Sequence, residues 1–166
     1  MFLIESFFRH QPHCSGYYHI VCAVDTTDGT AEDRVKLYVN GERITYFATN
    51  ANHSANDNTE MNVNTYTMSI GSDQQSGGGQ YWNGLMSNIA FVDGTALAPT
   101  EFGEVDSTSG IWKYKAPSGI TYGTNGFWLK GENSGALGTD SSGEGNTLTV
   151  SGSPTQSIDT PSNVFS

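Results

Sequence analysis

Several groups of side chains in this 166-residue chain are of types that could do chemistry. Acid and amide oxygens crowd the polar stretches: Asp25, Asp28 and Asp33 flank one turn, Asn56, Asp57 and Asn58 another, and Asp140 with Asn146 a third. Hard oxygen ligands of this kind suit calcium, but Asp and Asn also cap turns through their own side chains, and the spacing leaves both readings open. Tyr81, Tyr114 and Tyr122 stand beside loops, and a ring face next to the polar groups of Asn56, Asp57, Asn58 and Asp73 could recognise a pyranose ring by stacking and hydrogen bonding. Trp82 and Trp128 fall inside strand patterns and are expected in the core. Of the four histidines, His10-x-x-His13 is a two-ligand fragment, His19 lies in a strand pattern and His53 stands alone, so no zinc set is formed. The Gly-rich segment 140–146 has no Lys and is not a phosphate-binding loop.

Strands must position these groups. In Tyr18-His19-Ile20-Val21-Cys22-Ala23-Val24, residues Ile20, Cys22 and Val24 share one face, and Val35, Leu37 and Val39 repeat the pattern in the run that ends at Asn40-Gly41. Asn-Gly after alternating apolar residues signals a hairpin turn, with Tyr46-Phe47-Ala48 able to extend the second arm. A long polar stretch follows before Thr67-Met68-Ser69-Ile70-Gly71, which reads as a strand. Residues 81–94 then read as one long strand, apolar enough on both faces to be central. The core expected from this alternation comprises Ile20, Cys22, Val24, Val35, Leu37, Val39, Ile70, Leu85, Ile89 and Phe91. Leu97-Ala98-Pro99-Thr100-Glu101-Phe102-Gly103 is the single helical turn expected, with Pro early and Gly at its end. Further on, Ile111-Trp112, residues 126–129 and residues 147–150 are short strand-like islands in a Gly- and Ser-rich background. The division that results is an entry segment 1–16, sandwich strands 17–103, and an extension 104–166 with edge strands, belonging to the same domain or to a contact between subunits.

The length suits one domain able to bury a core without staples. Only 14% of residues are charged, and the net charge of −10, from 17 acidic against 7 basic residues, repels phosphate backbones and anionic bilayers. Nucleic acid is therefore not an expected partner, and no apolar run is long enough for membrane insertion as a helix. Cys22 sits between Ile20 and Val24 and is expected to be a buried free thiol rather than the partner of Cys14. The first residues, Met1-Phe2-Leu3-Ile4, are too short a run for a secretion signal and read as an entry strand.

Lys36-Leu37-Tyr38-Val39-Asn40-Gly41, the aromatic-then-His pattern around Tyr17 and His19, and Ile70-Gly71 with Trp82-Asn83-Gly84-Leu85 resemble the laminin-G-like, concanavalin-A-like β-sandwich. The resemblance implies an all-β antiparallel jelly-roll sandwich with a Gly/Ser-rich C-terminal extension. Relatives of that fold include glucanases that carry Glu-x-Asp-x-x-Glu on one strand, which sets carboxylates about 5–5.5 Å apart. The nearest run here, Glu104-Val105-Asp106-Ser107-Thr108-Ser109, lacks the third acid, so no enzyme activity and no catalytic residue is expected. Relatives also bind calcium at a sandwich rim, which makes calcium the one cofactor to consider, with Asp25, Asp28 and Asp33 as its ligands.

A second series spans residues 17 to 165: Asp93-Gly94-Thr95-Ala96-Leu97, Glu101-Phe102-Gly103, Tyr122-Gly123-Thr124-Asn125-Gly126-Phe127, Leu137-Gly138-Thr139-Asp140-Ser141-Ser142-Gly143 with Gly145-Asn146, and Asp159-Thr160-Pro161-Ser162-Asn163. It is similar to laminin-G-like proteins of tailed bacteriophages, of the tail-fibre or appendage type. That resemblance implies a virion protein that binds host-surface glycan without cleaving it, through Asn56, Asp57, Asn58, Asp73, Tyr81, Tyr114 and Tyr122. The alternative is a purely structural component, a capsid decoration or fibre stalk. Such relatives carry further strands before the Tyr17 position, where this sequence has 16 residues. Contact with other virion proteins, most simply a homo-oligomer, is therefore expected.

Overall fold

The computed structural model describes residues 2–6, 17–47, 52–59, 61, 67–73 and 80–158. Among the described residues ten strands follow in order: β1 (Phe2–Ser6), β2 (Tyr18–Val24), β3 (Val35–Val39), β4 (Glu42–Arg43), β5 (Ser72–Asp73), β6 (Gln80–Tyr81), β7 (Met86–Phe91), β8 (Gly103–Val105), β9 (Trp112–Tyr114) and β10 (Phe127–Leu129). Six of them form an antiparallel sheet in the order β10-β7-β1-β2-β3-β4, while β5 with β6 and β8 with β9 form two ribbons. Helix among the described residues is limited to 3-10 turns at Ala31–Asp33 and Pro99–Glu101. The fold is an all-β antiparallel sandwich in which one wide sheet is covered by ribbons and loops.

Asn40 and Gly41 adopt φ of 50° and 80°, the mirror-image turn whose twist matches that of the flanking strands. Val39 is consequently paired with Glu42, and Ile20, Cys22 and Val24 stand opposite Val39, Leu37 and Val35. A second left-handed residue, Asn88 at φ 51°, lies where the β1–β7 register shifts by one position. This bulge returns Met86 to the face that carries Ile89, and both belong to the same apolar cluster.

Both faces of the sheet carry an apolar cluster, and the deeper core is not the one the alternation suggests. Val21, Ala23, Ala90 and Val92 point to one face and are closed over by Phe102 and Tyr122, with Tyr38, Leu97, Ile120 and Trp128 around them. The other face centres on Ile89, Phe91, Phe127 and Leu129, against which Met68, Ile70, Met86 and Leu148 pack. Of the ten residues expected inside, Ile89 and Phe91 are buried, but Ile20, Cys22, Val24, Val35, Leu37, Val39, Ile70 and Leu85 are only half-buried. The reason is tertiary. Residues 97–122 lie over the Val21 face, and β2 is apolar enough on both faces that periodicity cannot say which one that cover will choose.

Other boundaries also shift. Residues 67–71 are not a strand; pairing begins at Ser72. The stretch read as one long strand is two, β6 and β7, separated by residues 82–85. The hairpin arm ends at Arg43, leaving Tyr46 and Phe47 exposed. Residues 147–150 form no strand, although the Leu148 N–H donates to the Gly138 carbonyl at 2.9 Å. The 3-10 turn at Pro99–Glu101 falls where the helical turn was expected, and Cys22 is a free thiol whose pKa is raised by burial. His10, His13, Cys14 and the 159–163 motif lie outside the described residues.

Trp112 joins the β8–β9 ribbon to the sheet. Its indole Nε1–H donates to His19 Nδ1 at 3.0 Å, with the two rings tilted and 5.7 Å apart. Two glycines make room for it: a Cβ on Gly41 would lie 2.4 Å from the indole, and one on Gly103 2.5 Å. Gly103→Ala should therefore cost about 1–3 kcal/mol by displacing the ring, read as a lowered denaturation midpoint with altered tryptophan emission. Unchanged stability would show that the slot yields freely.

Candidate functional site

The expected contact residues fall in four places rather than one. Tyr81 lies on β6 with its side chain 75% exposed, the most open ring on either ribbon. Asp73 shares that ribbon, paired with Gln80, while Tyr81 is paired with Ser72, so the two are one register position apart, at positions that alternate between the faces of the ribbon. The Trp82 N–H then donates to the Gly71 carbonyl at 2.8 Å and extends the pairing by one more bond. Gln80, Tyr81, Asn83 and Gly84 form an exposed polar stretch around the ring.

Asn56, Asp57 and Asn58 are exposed in a separate loop, which is tied to the turn after β2. The Asn56 N–H donates to the Thr26 carbonyl at 2.8 Å, and Arg34 Nη1 donates to the His53 carbonyl at 2.8 Å. Asn56 itself takes the left-handed conformation, and Asp57 stands 3.1 Å from His53 Nδ1. The structure thus brings this loop beside Asp25 and Asp28, a juxtaposition that sequence spacing could not reveal.

Tyr114 and Tyr122 are elsewhere. Tyr114 is half-buried, and its hydroxyl donates to Asn88 Oδ1 at 3.0 Å, bracing the bulge in β7. Tyr122 is a core residue, 6% exposed, and its phenol pKa is pushed up to about 12 by burial and by the Asp140 carboxylate. Its ring closes the Val21 face and offers no open stacking surface, which corrects its assignment as a contact residue.

The three aspartates proposed as calcium ligands are each engaged locally. Asp25 Oδ1 accepts from the Thr27 N–H at 2.9 Å and the Thr27 hydroxyl at 2.6 Å. Asp28 accepts from the Thr30 N–H at 3.0 Å and from Lys36 Nζ at 3.1 Å, and these contacts, the Thr30 bond foremost, lower its pKa. Asp33 is paired with Arg43. Among the described residues, no three His, Cys, Asp or Glu side chains converge as a metal site. These carboxylates cap turns and pair with cations, and do not fit a shared ion.

Glu104 and Asp106 at the end of β8 both face Lys113, at 3.3 and 3.2 Å. Asp106 also accepts from the Ser109 and Thr108 N–H groups and the Ser109 hydroxyl, which hold its pKa far below the usual carboxylate value. Glycoside hydrolysis needs one carboxyl group kept protonated by a raised pKa. Asp106 is shifted the opposite way.

Sequence reasoning undervalued Asp140. Its carboxylate accepts from the Trp128 N–H at 2.9 Å, the Ser142 N–H at 2.8 Å, the Ser142 hydroxyl at 2.8 Å and the Asn146 N–H at 2.9 Å. Desolvation, the largest single influence, raises its pKa, but these donors together outweigh it and the net shift is downward. Asn146 Nδ2 donates to the Thr124 and Gly126 carbonyls at 2.9 and 2.8 Å. Together the two side chains fasten segment 140–146 to edge strand β10. The Asp-x-Ser spacing, an Asx-turn signature, was the signal that could have found this hub.

With this geometry established, comparison with known families places the chain. The family model described as the concanavalin A-like lectin/glucanases superfamily (Laminin_G_3) matches residues 11–101, more than half of the sequence. The chain belongs to that superfamily. No curated protein and no solved structure matches it.

Proposed function

We propose that this protein is a non-catalytic glycan-binding module of a phage virion, carried on a tail fibre or appendage. The observation that carries the binding role is Tyr81: a ring 75% exposed on a short ribbon, flanked by Gln80 and Asn83, which offer hydrogen bonds to sugar hydroxyls. Asp73 lies in the same ribbon, and the Asn56, Asp57 and Asn58 loop is a separate exposed polar surface beside the turn after β2. Membership of a superfamily whose description names lectins supports the same reading. The virion setting rests on the motif series from Asp93 to Asn163. The net charge of −10 favours neutral or amino sugars over acidic polysaccharides.

The test is titration against host-surface polysaccharides and a glycan array, run with and without calcium. Tyr81→Ala should weaken binding about tenfold, the loss of one aromatic anchor, with the fold unchanged. Equal affinity of wild type and variant, or no binding in either condition, would remove the glycan role.

One observation favours a second reading, a structural virion component. Ile20, Cys22, Val24, Val35, Leu37 and Val39 form an apolar sheet face that the described residues only half cover. A homo-oligomer or another virion protein seated there would complete it. Concentration-independent monomers by ultracentrifugation would count against the oligomeric form.

A further inference from the structure

Asparagine followed by glycine occurs three times in the chain, at Asn40-Gly41, Asn83-Gly84 and Asn125-Gly126. Such a pair can rearrange without an enzyme, because glycine has no Cβ to keep its backbone nitrogen from the asparagine side chain. The nitrogen attacks the side-chain carbonyl carbon, ammonia leaves, and a succinimide ring closes. Water then opens the ring at either carbonyl, leaving aspartate or isoaspartate. One water enters and one ammonia departs, with no oxidant or cofactor.

The fold treats the three pairs differently. Asn40 is held inside the hairpin turn: its Oδ1 accepts from the His19 N–H at 2.9 Å, and its own N–H donates to the His19 carbonyl at 2.8 Å. Gly41 beside it lies against the Trp112 indole. Asn125 is held by Asp93, whose Oδ2 accepts from its side-chain amide at 2.8 Å. Gly126 is buried, and its N–H donates to the Gly123 carbonyl at 3.0 Å. Closing a succinimide at either place would require breaking these bonds and moving backbone that is packed.

Asn83 and Gly84 are both exposed, lie between β6 and β7, and take part in none of the hydrogen bonds that fasten the other two pairs. We infer that Asn83-Gly84 is a spontaneous deamidation site, the one Asn-Gly pair that folding leaves reactive. Conversion places a new carboxylate two positions from Tyr81 and makes the chain more acidic. The isoaspartate product also inserts an extra backbone atom into the connection between β6 and β7. The inference does not depend on sugar binding.

The experiment is ageing of the folded protein in mildly alkaline buffer, followed by peptide mass spectrometry with isoaspartate detection, beside the same chain in denaturant. In the folded protein Asn83 should convert about tenfold faster than Asn40 and Asn125, or more, whereas in denaturant the three should converge. Asn83→Gln should abolish the acidic species that native isoelectric focusing resolves, and Gly84→Ala should slow its appearance. Conversion of Asn40 or Asn125 at the rate of Asn83 in the folded chain would overturn the inference. So would an Asn83 that stays intact while the denatured chain reacts.

Discussion

Phe102→Ala is expected to destabilise the protein by about 3–5 kcal/mol, whereas Leu37→Ala should cost only about 1–2 kcal/mol. Phe102 is completely buried and closes the Val21, Ala23, Ala90 and Val92 face. Removing its ring leaves a cavity whose walls belong to a paired sheet and to the chain around the 3-10 turn, so collapse is limited. Leu37 lies on the opposite face, half-buried, and its truncation removes less apolar area and opens no closed cavity. Equilibrium denaturation of both variants decides between the two faces. Leu37→Ala as costly as Phe102→Ala would mean that the Leu37 face is fully covered in solution.

Acid should cost the fold about 3 kcal/mol between neutral pH and about pH 4, through one histidine. His19 is 4% exposed, and burial lowers its pKa from 6.5 to about 4. Its Nδ1 accepts from Trp112, so the ring is neutral with its proton on Nε2, an atom without a partner among the described residues. In the unfolded chain the imidazole takes up a proton near pH 6.5, while in the folded chain it resists until about 4. The stabilisation is complete above 6.5 and is lost as pH falls through that window. Protonation of Nδ1 would also abolish the acceptor that holds the indole. His19→Gln keeps an acceptor and does not titrate, so its stability should be flatter between pH 6.5 and 5 than that of wild type. Parallel pH profiles would show that His19 is not the group responsible.

The legible parts of the fold were those decided within a few residues. Asn40-Gly41 demanded its turn, Lys36 through Val39 its strand, and Pro99 its tight turn, because glycine's freedom, alternation and proline's fixed φ are local properties. The pairing partners of those strands were not local. Nothing between Tyr18 and Val24 states that Trp112, 93 positions after His19, will lie over that ring, or that Phe102 rather than Ile70 will close the deeper core. The candidate site follows the same division. Tyr81 beside its loop was readable from the sequence and lies on the surface, whereas Tyr122, with the same kind of neighbours, is a core residue because its ring joins the Val21 cluster and its carbonyl accepts from the Asp93 N–H. The aspartates were ambiguous for a physical reason: a carboxylate that caps a turn and one that binds an ion have the same short-range signature, and only their convergence in space separates them.

The position of β1 has a kinetic consequence. It runs between β2 and β7, with Phe2 paired to Cys22 on one side and to Phe91 on the other. The β2–β3–β4 meander can close over short loops, but the seam between β1 and β7 joins residues as distant in the chain as Phe2 and Phe91 and must meet a larger closure entropy before any contact rewards it. The expected order of folding is therefore a rapid local meander and then a slower docking step that β7 and β10 complete together, which pulse-labelled hydrogen exchange during refolding would check. Until that seam forms, the apolar strands of the early half stand open, and the interval is when the chain is most prone to join a neighbour.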